Sequence, residues 1–353
     1  MEDDQTYDAR PAAAPASDDR HAGTGGVRWL GPVPPWVPAE RPAIRVIVDN
    51  DFAGDPDDLV QLAHHLLSPS VDLRAVISSH LRPGDPFDPG PHAARHGAER
   101  LAGLAEVLRV DLSDVLVVGS ELGLEDERTP RPSAGVDRIV AEARRTDTDQ
   151  PLFVACGGGL TEVASALLLA PDVADRLTVV WIGGAEDPAV AVPPPGNPTP
   201  EYNLGIDLVA ARVVLASRVP LWQVPRSTYR QALVSTAELR DRVGGAGALG
   251  AYLHGQVAAV LDLVAGLLGG RRETYVLGDQ PLVLLTALQT VFEPDPGSCE
   301  SVDRPAPRIG PDGEFVADPD GRSIRVFTRL DTRLMFEDLY LKLAAHERWT
   351  AAG

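Results

Sequence analysis

Six short runs of apolar and β-branched residues, separated by stretches with helical spacing, constrain this chain more than any other feature of its sequence. The runs lie at residues 44–48, 73–77, 115–118, 151–155, 178–182 and 219–224, and the helical stretches between them at 59–67, 93–107, 136–143, 161–169 and 207–216. Strands without polar alternation are buried on both faces, and an intervening helix supplies the crossover that parallel pairing requires. The pattern predicts an α/β fold, a single open and mainly parallel sheet with helices on both faces. Further helices are expected over 249–268 and 280–288, and a last one from about Arg333. Pro311-Asp312-Gly313 and Asp318-Pro319-Asp320-Gly321 predict a small C-terminal hairpin region.

Residues 1–41 hold much Ala, Pro, Asp and Gly and read as an N-terminal tail, largely extended or disordered. Within it, Trp29-Leu30 and Pro34-Pro35-Trp36-Val37-Pro38 are suited to pack on the body as a strap. Residues 42–350 form one domain without a linker-like break. A net charge of −19 repels phosphate backbones and anionic lipid, which argues against nucleic acid or a membrane as partner. Cys156 and Cys299, the only two cysteines, build neither a disulfide framework nor a cysteine zinc cluster. No uninterrupted apolar run reaches the roughly 20 residues of a spanning helix. The start, MEDDQTYDAR, lacks a signal-peptide layout, so a cytoplasmic location is expected.

Ligands of open α/β sheets bind beyond the carboxyl ends of the strands. The first strand runs into Asp49-Asn50-Asp51-Phe52-Ala53-Gly54-Asp55-Pro56-Asp57-Asp58, five carboxylates within ten residues on a strand-to-helix turn. Such crowding is costly unless a cation neutralises it, and all-oxygen donors suit Ca²⁺ or Mg²⁺. The plain alternative is a solvated acidic loop capping the helix. An EF-hand is excluded, because Ala53 and Val60 occupy its fifth and twelfth positions counted from Asp49. A haloacid-dehalogenase-type phosphatase fits poorly, with Ala53 where Thr or Val is usual.

This segment resembles the opening of the inosine-uridine-preferring nucleoside hydrolase family: a strand, Asp-x-Asp, a Gly-containing turn, then Asp-Asp leading a helix. Further segments resemble the family in the same order. They are Gly157-Gly158-Gly159-Leu160-Thr161-Glu162, Trp181-Ile182-Gly183-Gly184-Ala185, Gly196-Asn197 with Glu201-Tyr202-Asn203, and Gly278-Asp279-Gln280-Pro281-Leu282. The resemblance spans about residues 44–290. It implies a Rossmann-like nucleoside hydrolase fold and hydrolysis of the N-glycosidic bond of a ribonucleoside or related riboside, in a homodimer or homotetramer serving nucleoside metabolism such as purine salvage. It also implies Ca²⁺ held by Asp51, Asp58, Asp279 and the Gly157 carbonyl, with Asp57 as general base. The turn is two residues longer than the family's commonest form, so Asp55 joins the candidate metal ligands. Asn197, Glu201 and Asn203 are the implied ribose contacts.

The departures bear on the leaving group. Gly278 stands where many members of the family it resembles carry a His, which is implicated in protonating the leaving base in the pyrimidine-competent members. His80, at a strand's carboxyl end, is a candidate substrate contact, and His254 a weaker candidate donor. His64 and His65, adjacent on a helix, read as structural, with at most one facing inward. Trp222 reads as a core residue. A ribose- or nucleoside-binding protein that keeps the metal but has lost catalysis is the alternative function.

Overall fold

The computed structural model describes residues 26–37, 40–196, 200–292, 295 and 297–352. In chain order the elements are β1 (Arg28–Trp29), β2 (Ile44–Asn50), α1 (Asp57–Leu66), β3 (Val71–Ser78), α2 (Ala93–Leu108), β4 (Val110–Asp111), β5 (Leu116–Val118) and α3 (Ala134–Ala143). There follow β6 (Leu152–Cys156), α4 (Thr161–Leu169), β7 (Thr178–Ile182), α5 (Leu208–Ala216), β8 (Leu221–Val224), α6 (Arg226–Tyr229), β9 (Leu233–Ser235), α7 (Thr236–Glu238) and α8 (Gly247–Leu268). The chain closes with β10 (Thr274–Val276), α9 (Gln280–Thr286), β11 (Glu300–Pro305), β12 (Arg308–Ile309), β13 (Phe315–Val316), β14 (Ser323–Arg329) and α10 (Thr332–Ala352).

Eight strands form one open sheet in the order β11-β14-β8-β7-β6-β2-β3-β5, parallel throughout except for β11 at its edge. The six strands read from the sequence are all present, and the two at the β8 side are additions. β14 runs SIRVFTR, with charged residues among the apolar ones, so its period matches an edge more than a core strand. It reaches the sheet by pairing Arg325 and Val326 with Trp222 and Gln223 of β8. The hairpin region sits beside it, with β12 and β13 paired across Pro311-Asp312-Gly313. A second small pair, β9 with β10, stands apart from the sheet.

The sheet separates two apolar cores. One joins α1, α2, α8, α9 and α10 to residues such as Val46, Val48 and Phe52, and the other joins α3, α4 and α5 to Ile47, Ile77 and Val154. Side chains alternate across a strand, so consecutive β2 residues feed opposite cores. Strand order reverses direction at β2, which lies between β3 and β6, and this switch point opens a crevice beyond the end of β2.

The described part of the tail docks. β1 pairs with β4, Val27 and Trp29 are buried, and Trp29, Trp36 and Trp349 meet edge to face with centroids 5.4–5.6 Å apart. Helix α8 departs from the hydropathy expectation. Its Gly247–Leu267 segment is long and apolar enough to cross a membrane by length and composition, with mean hydropathy 1.4. Tyr252, His254, Gln256 and Asp262 interrupt the apolar run without lowering that average enough. Leu249, Leu253 and Val257 bury its first half, whereas Leu263 and Leu267 are exposed. His64 and His65 are likewise both buried, because α1 is covered on two sides. His64 contacts Gln280 Oε1 at 2.9 Å and Asp338 Oδ2 at 2.7 Å, and His65 contacts Thr286 Oγ1 at 2.9 Å, so both pin α1 to neighbouring helices.

Candidate functional site

The chain leaves β2 at Asn50 and turns back at Gly54, whose N–H donates to the Asp51 carbonyl at 2.6 Å. Asp57 and Asp58 are the first two residues of α1, where free backbone N–H groups and the helix dipole favour negative charge. Asp279 comes from 222 positions further along the chain, immediately before α9. Its N–H donates to Asp57 Oδ2 at 3.1 Å. Asp57, Asp58 and Asp279 each offer a carboxylate oxygen within 4.8 Å of the others.

Asn50 organises this cluster. Its amide nitrogen donates to Asp58 Oδ1 and Asp279 Oδ2, both at 2.9 Å, and its oxygen accepts the Gly157 N–H at 2.8 Å. Those partners fix which way the amide points, since carboxylates only accept and N–H groups only donate. A Cβ at Gly157 would collide with the Asp279 carboxylate and the Asn50 amide, so the end of β6 comes this close only as glycine.

Burial raises the pKa of every acid here, and the neighbouring carboxylates raise most of them further. Asp58 is pushed up to about 6 and Asp55 to about 7. Asp51, Asp57 and Asp279 are held well above the usual carboxylate range by burial and then by the other aspartates. Arg100 is the nearby cation, but its guanidinium donates to the Phe52 and Gly54 carbonyls at 3.2 and 2.9 Å rather than to a carboxylate. Asp51 Oδ2 and Asp58 Oδ2 are buried without any hydrogen-bond partner. An oxygen-only donor set with orphaned carboxylate oxygens fits a hard divalent cation.

The cluster floors a pocket of about 220 Å³. Asp51, Asp55, Asp57, Asp58, Gly157 and Asp279 all line it, as do Glu201 and Asn203 on the loop after β7. Asp55 lies outside the group of three, and its carboxylate accepts the Tyr275 phenol. Asn203 donates from its amide nitrogen to the Gly157 and Ile182 carbonyls, each at 2.8 Å, which leaves its side-chain oxygen for a ligand. Glu201 accepts from the backbone of Gly184, Leu204 and Asn203 and from the Tyr229 hydroxyl at 2.8 Å. These four bonds fill a carboxylate's capacity, so a ligand hydroxyl reaches Glu201 only by taking the place of Tyr229.

Asn197 lies outside the described residues. His80 is buried and does not line the pocket, with Nδ1 at 2.9 Å from the Leu81 carbonyl and Nε2 at 2.9 Å from Thr161 Oγ1. His254 also stays outside the lining, against Gly244, and Trp222 packs with Phe153 and Phe327. Sequence reading passed over Asn50, Tyr275 and Arg100. Asn50 alone had a signal, its place between the two acids of Asp-x-Asp.

The chain matches the family model described as inosine-uridine preferring nucleoside hydrolase over residues 86–295, more than half its length and downstream of the acidic turn. No curated protein sequence matches it. Among solved structures, a purine-preferring ribonucleoside hydrolase from Gardnerella vaginalis superposes with TM-score 0.64 at 18% identity, covering 86% of this chain and 99% of that one. A plant nucleoside hydrolase gives 0.63 at 18% identity, covering 86% and 100%. An inosine-uridine preferring nucleoside hydrolase from Bacillus anthracis gives 0.58 at 16%, covering 86% and 99%.

Proposed function

The chain belongs to the inosine-uridine preferring nucleoside hydrolase family, and from that premise we propose that it cleaves the N-glycosidic bond of ribosides in the pocket beyond β2, with Ca²⁺ as its metal. The observation that carries this is the meeting of Asp279 with Asp57 and Asp58 at the switch point of the sheet. Asp51, Asp58, Asp279 and the Gly157 carbonyl are the groups that would hold the ion. When bound, the ion would lower the pKa of a water and grip ribose hydroxyls.

The chain's own residues supply the rest. Asp57 is partly open to the pocket, and one of its oxygens is steadied by the Asp279 N–H. In this reading it takes a proton from the attacking water as that water bonds to C1′. Asn203 offers its oxygen to a ribose hydroxyl while its nitrogen fixes the Gly157 carbonyl. The transition state at C1′ is oxocarbenium-like, and a pocket lined by carboxylates stabilises positive charge there.

The test is a panel of nucleosides incubated with purified protein, with Ca²⁺ or with chelator, read by free base and reducing sugar. Release of both with Ca²⁺ and loss on chelation are expected. Ribose binding without release across the panel would remove the catalytic reading.

A further inference from the structure

Once a divalent ion has taken the place of the acids' protons, the pocket holds many acceptors and, among the described residues, no ammonium, guanidinium or imidazole to give a proton to a departing base. Six of its lining residues are acids, and no Lys, Arg or His lines it among the described residues. Tyr202 and Tyr229 carry the hydroxyl protons of the lining, and both are committed: Tyr202 donates to Asp85 Oδ2 at 3.0 Å and Tyr229 to Glu201 Oε1 at 2.8 Å. Burial, with the nearby carboxylates, raises both phenols, so both hold their protons more firmly than an ordinary tyrosine. Gly278 borders the same space, and a Cβ there would meet nothing nearer than Asp57 Oδ2 at 3.3 Å and Tyr229 Cδ2 at 3.6 Å. Arg82, near the rim, is paired with Asp85 at 3.0 Å, and its guanidinium lies over the Tyr202 ring, 5.0 Å from the centroid. That ring already serves as a seat for a flat cation, and Phe87 and Tyr229 add two more aromatic side chains to the lining.

We propose that the preferred substrates are ribosides whose aglycone is a positively charged nitrogen heterocycle, such as an N-ribosyl pyridinium or an N7-alkylated purine riboside. This deepens the riboside reading above and rests on it. A neutral purine or pyrimidine must receive a proton as it departs, or leave as an anion into a pocket of carboxylates. A cationic heterocycle needs neither. The C1′–N bond breaks with its electron pair passing to the ring nitrogen, which cancels the positive charge. The water oxygen bonds to C1′, its proton passes to the Asp57 carboxylate and then to solvent, and the products are ribose, a neutral heterocycle and one proton. The six acids also attract the cationic substrate, even after a divalent ion has neutralised two charges.

The experiment compares the full chain, with Ca²⁺ present, on nicotinamide riboside, on its reduced dihydropyridine form as an uncharged isostere, and on inosine and uridine. General-acid help is worth about 10²–10⁴-fold where a site supplies it. We expect kcat/KM for the pyridinium riboside to exceed that for inosine and uridine by about 100-fold or more, with no turnover of the reduced isostere. Phe87→Leu is expected to raise KM for the pyridinium about fivefold to tenfold and to leave kcat near its original value. Comparable efficiency on inosine or uridine would overturn the inference, because one of the pocket's own carboxyl groups would then be delivering the proton. Failure to release ribose from any member of the panel is a different result, and it overturns the underlying riboside reading together with the inference.

Discussion

The two ends of strand β2 handle buried charge in opposite ways. At its start Arg45 is 4% exposed, and its guanidinium donates to the Glu142 carbonyl at 2.6 Å, to the Glu142 carboxylate at 3.3 Å and to the Gln150 carbonyl at 3.0 Å. Arg74 and Arg145 close on the same carboxylate at 3.0 and 3.3 Å. Burial pushes the Glu142 pKa up, and the bonds and charges of Arg74 and Arg145 more than reverse it, so the group is held below its ordinary value. At the other end the aspartates face one another, and no guanidinium or ammonium pairs with Asp51, Asp55, Asp57, Asp58 or Asp279 among the described residues. The first network is complete once the chain has folded. The second has no partner cation of its own among the described residues, and it fits the ion proposed above for that end of the sheet.

The contrast breaks most sharply at Asp57. Asp57→Asn should lower kcat about 10³-fold while leaving circular dichroism and calorimetric metal binding close to those of the parent protein, because it removes the proton acceptor and keeps the shape. Retention of full turnover would transfer the role to another acid, with Asp55 the next to test. At the closed end Glu142→Gln should cost about 3–5 kcal/mol in urea denaturation, since it leaves buried guanidinium charge uncompensated. Turnover of the folded variant should stay within about twofold. A large loss of kcat there would mean that the two ends are not separable.

Asn50→Ala sharpens the comparison at the open end. Loss of the amide that aligns Asp58, Asp279 and Gly157 should weaken metal binding by about 10–100-fold in calorimetry. An unchanged affinity would show that the carboxylates align without it.

The smallest effect is the pH response of stability. The site acids bind protons in the folded metal-free protein up to about pH 6 for Asp58 and about pH 7 for Asp55, and release them near pH 3.8 when unfolded. The native state therefore holds more protons between those values, and stability contributed by this end falls as pH rises from about 4 to 7. In chelator the melting temperature should be lower at pH 8 than at pH 5. Added Ca²⁺ should raise it by about 5 °C or more at pH 8, and by less at pH 5, where protons compete. A metal-induced shift of equal size at both pH values would contradict the charge argument.

Much of the fold was legible because its signals are local. The run IRVIV, followed by a helical stretch, reports burial on both faces wherever it occurs, and six such runs leave few architectures. β14 was harder, because charged residues interrupt its apolar ones, and beside the edge strand β11 it reads as one arm of a free hairpin. The site was legible in part. Five crowded aspartates announced a place for positive charge, and Gly157 fitted a close approach. His80 at a strand end looked like a ligand group, but helix α4 brings Thr161 to within bonding distance, and with the Leu81 carbonyl it takes both ring nitrogens.

The amino-acid order alone determined a covered parallel sheet and an acidic turn at the end of its first strand, since both follow from neighbours a few residues apart. Only the tertiary structure decided that Asp279 meets Asp57 and Asp58, that Asn50 holds them in line, and that Arg100 spends its charge on backbone carbonyls. Those outcomes depend on which strand lies beside β2 and on how α1, α2 and α9 pack over it. Strand order and helix packing are set by burial summed over the whole domain, and no local period in the sequence records that sum.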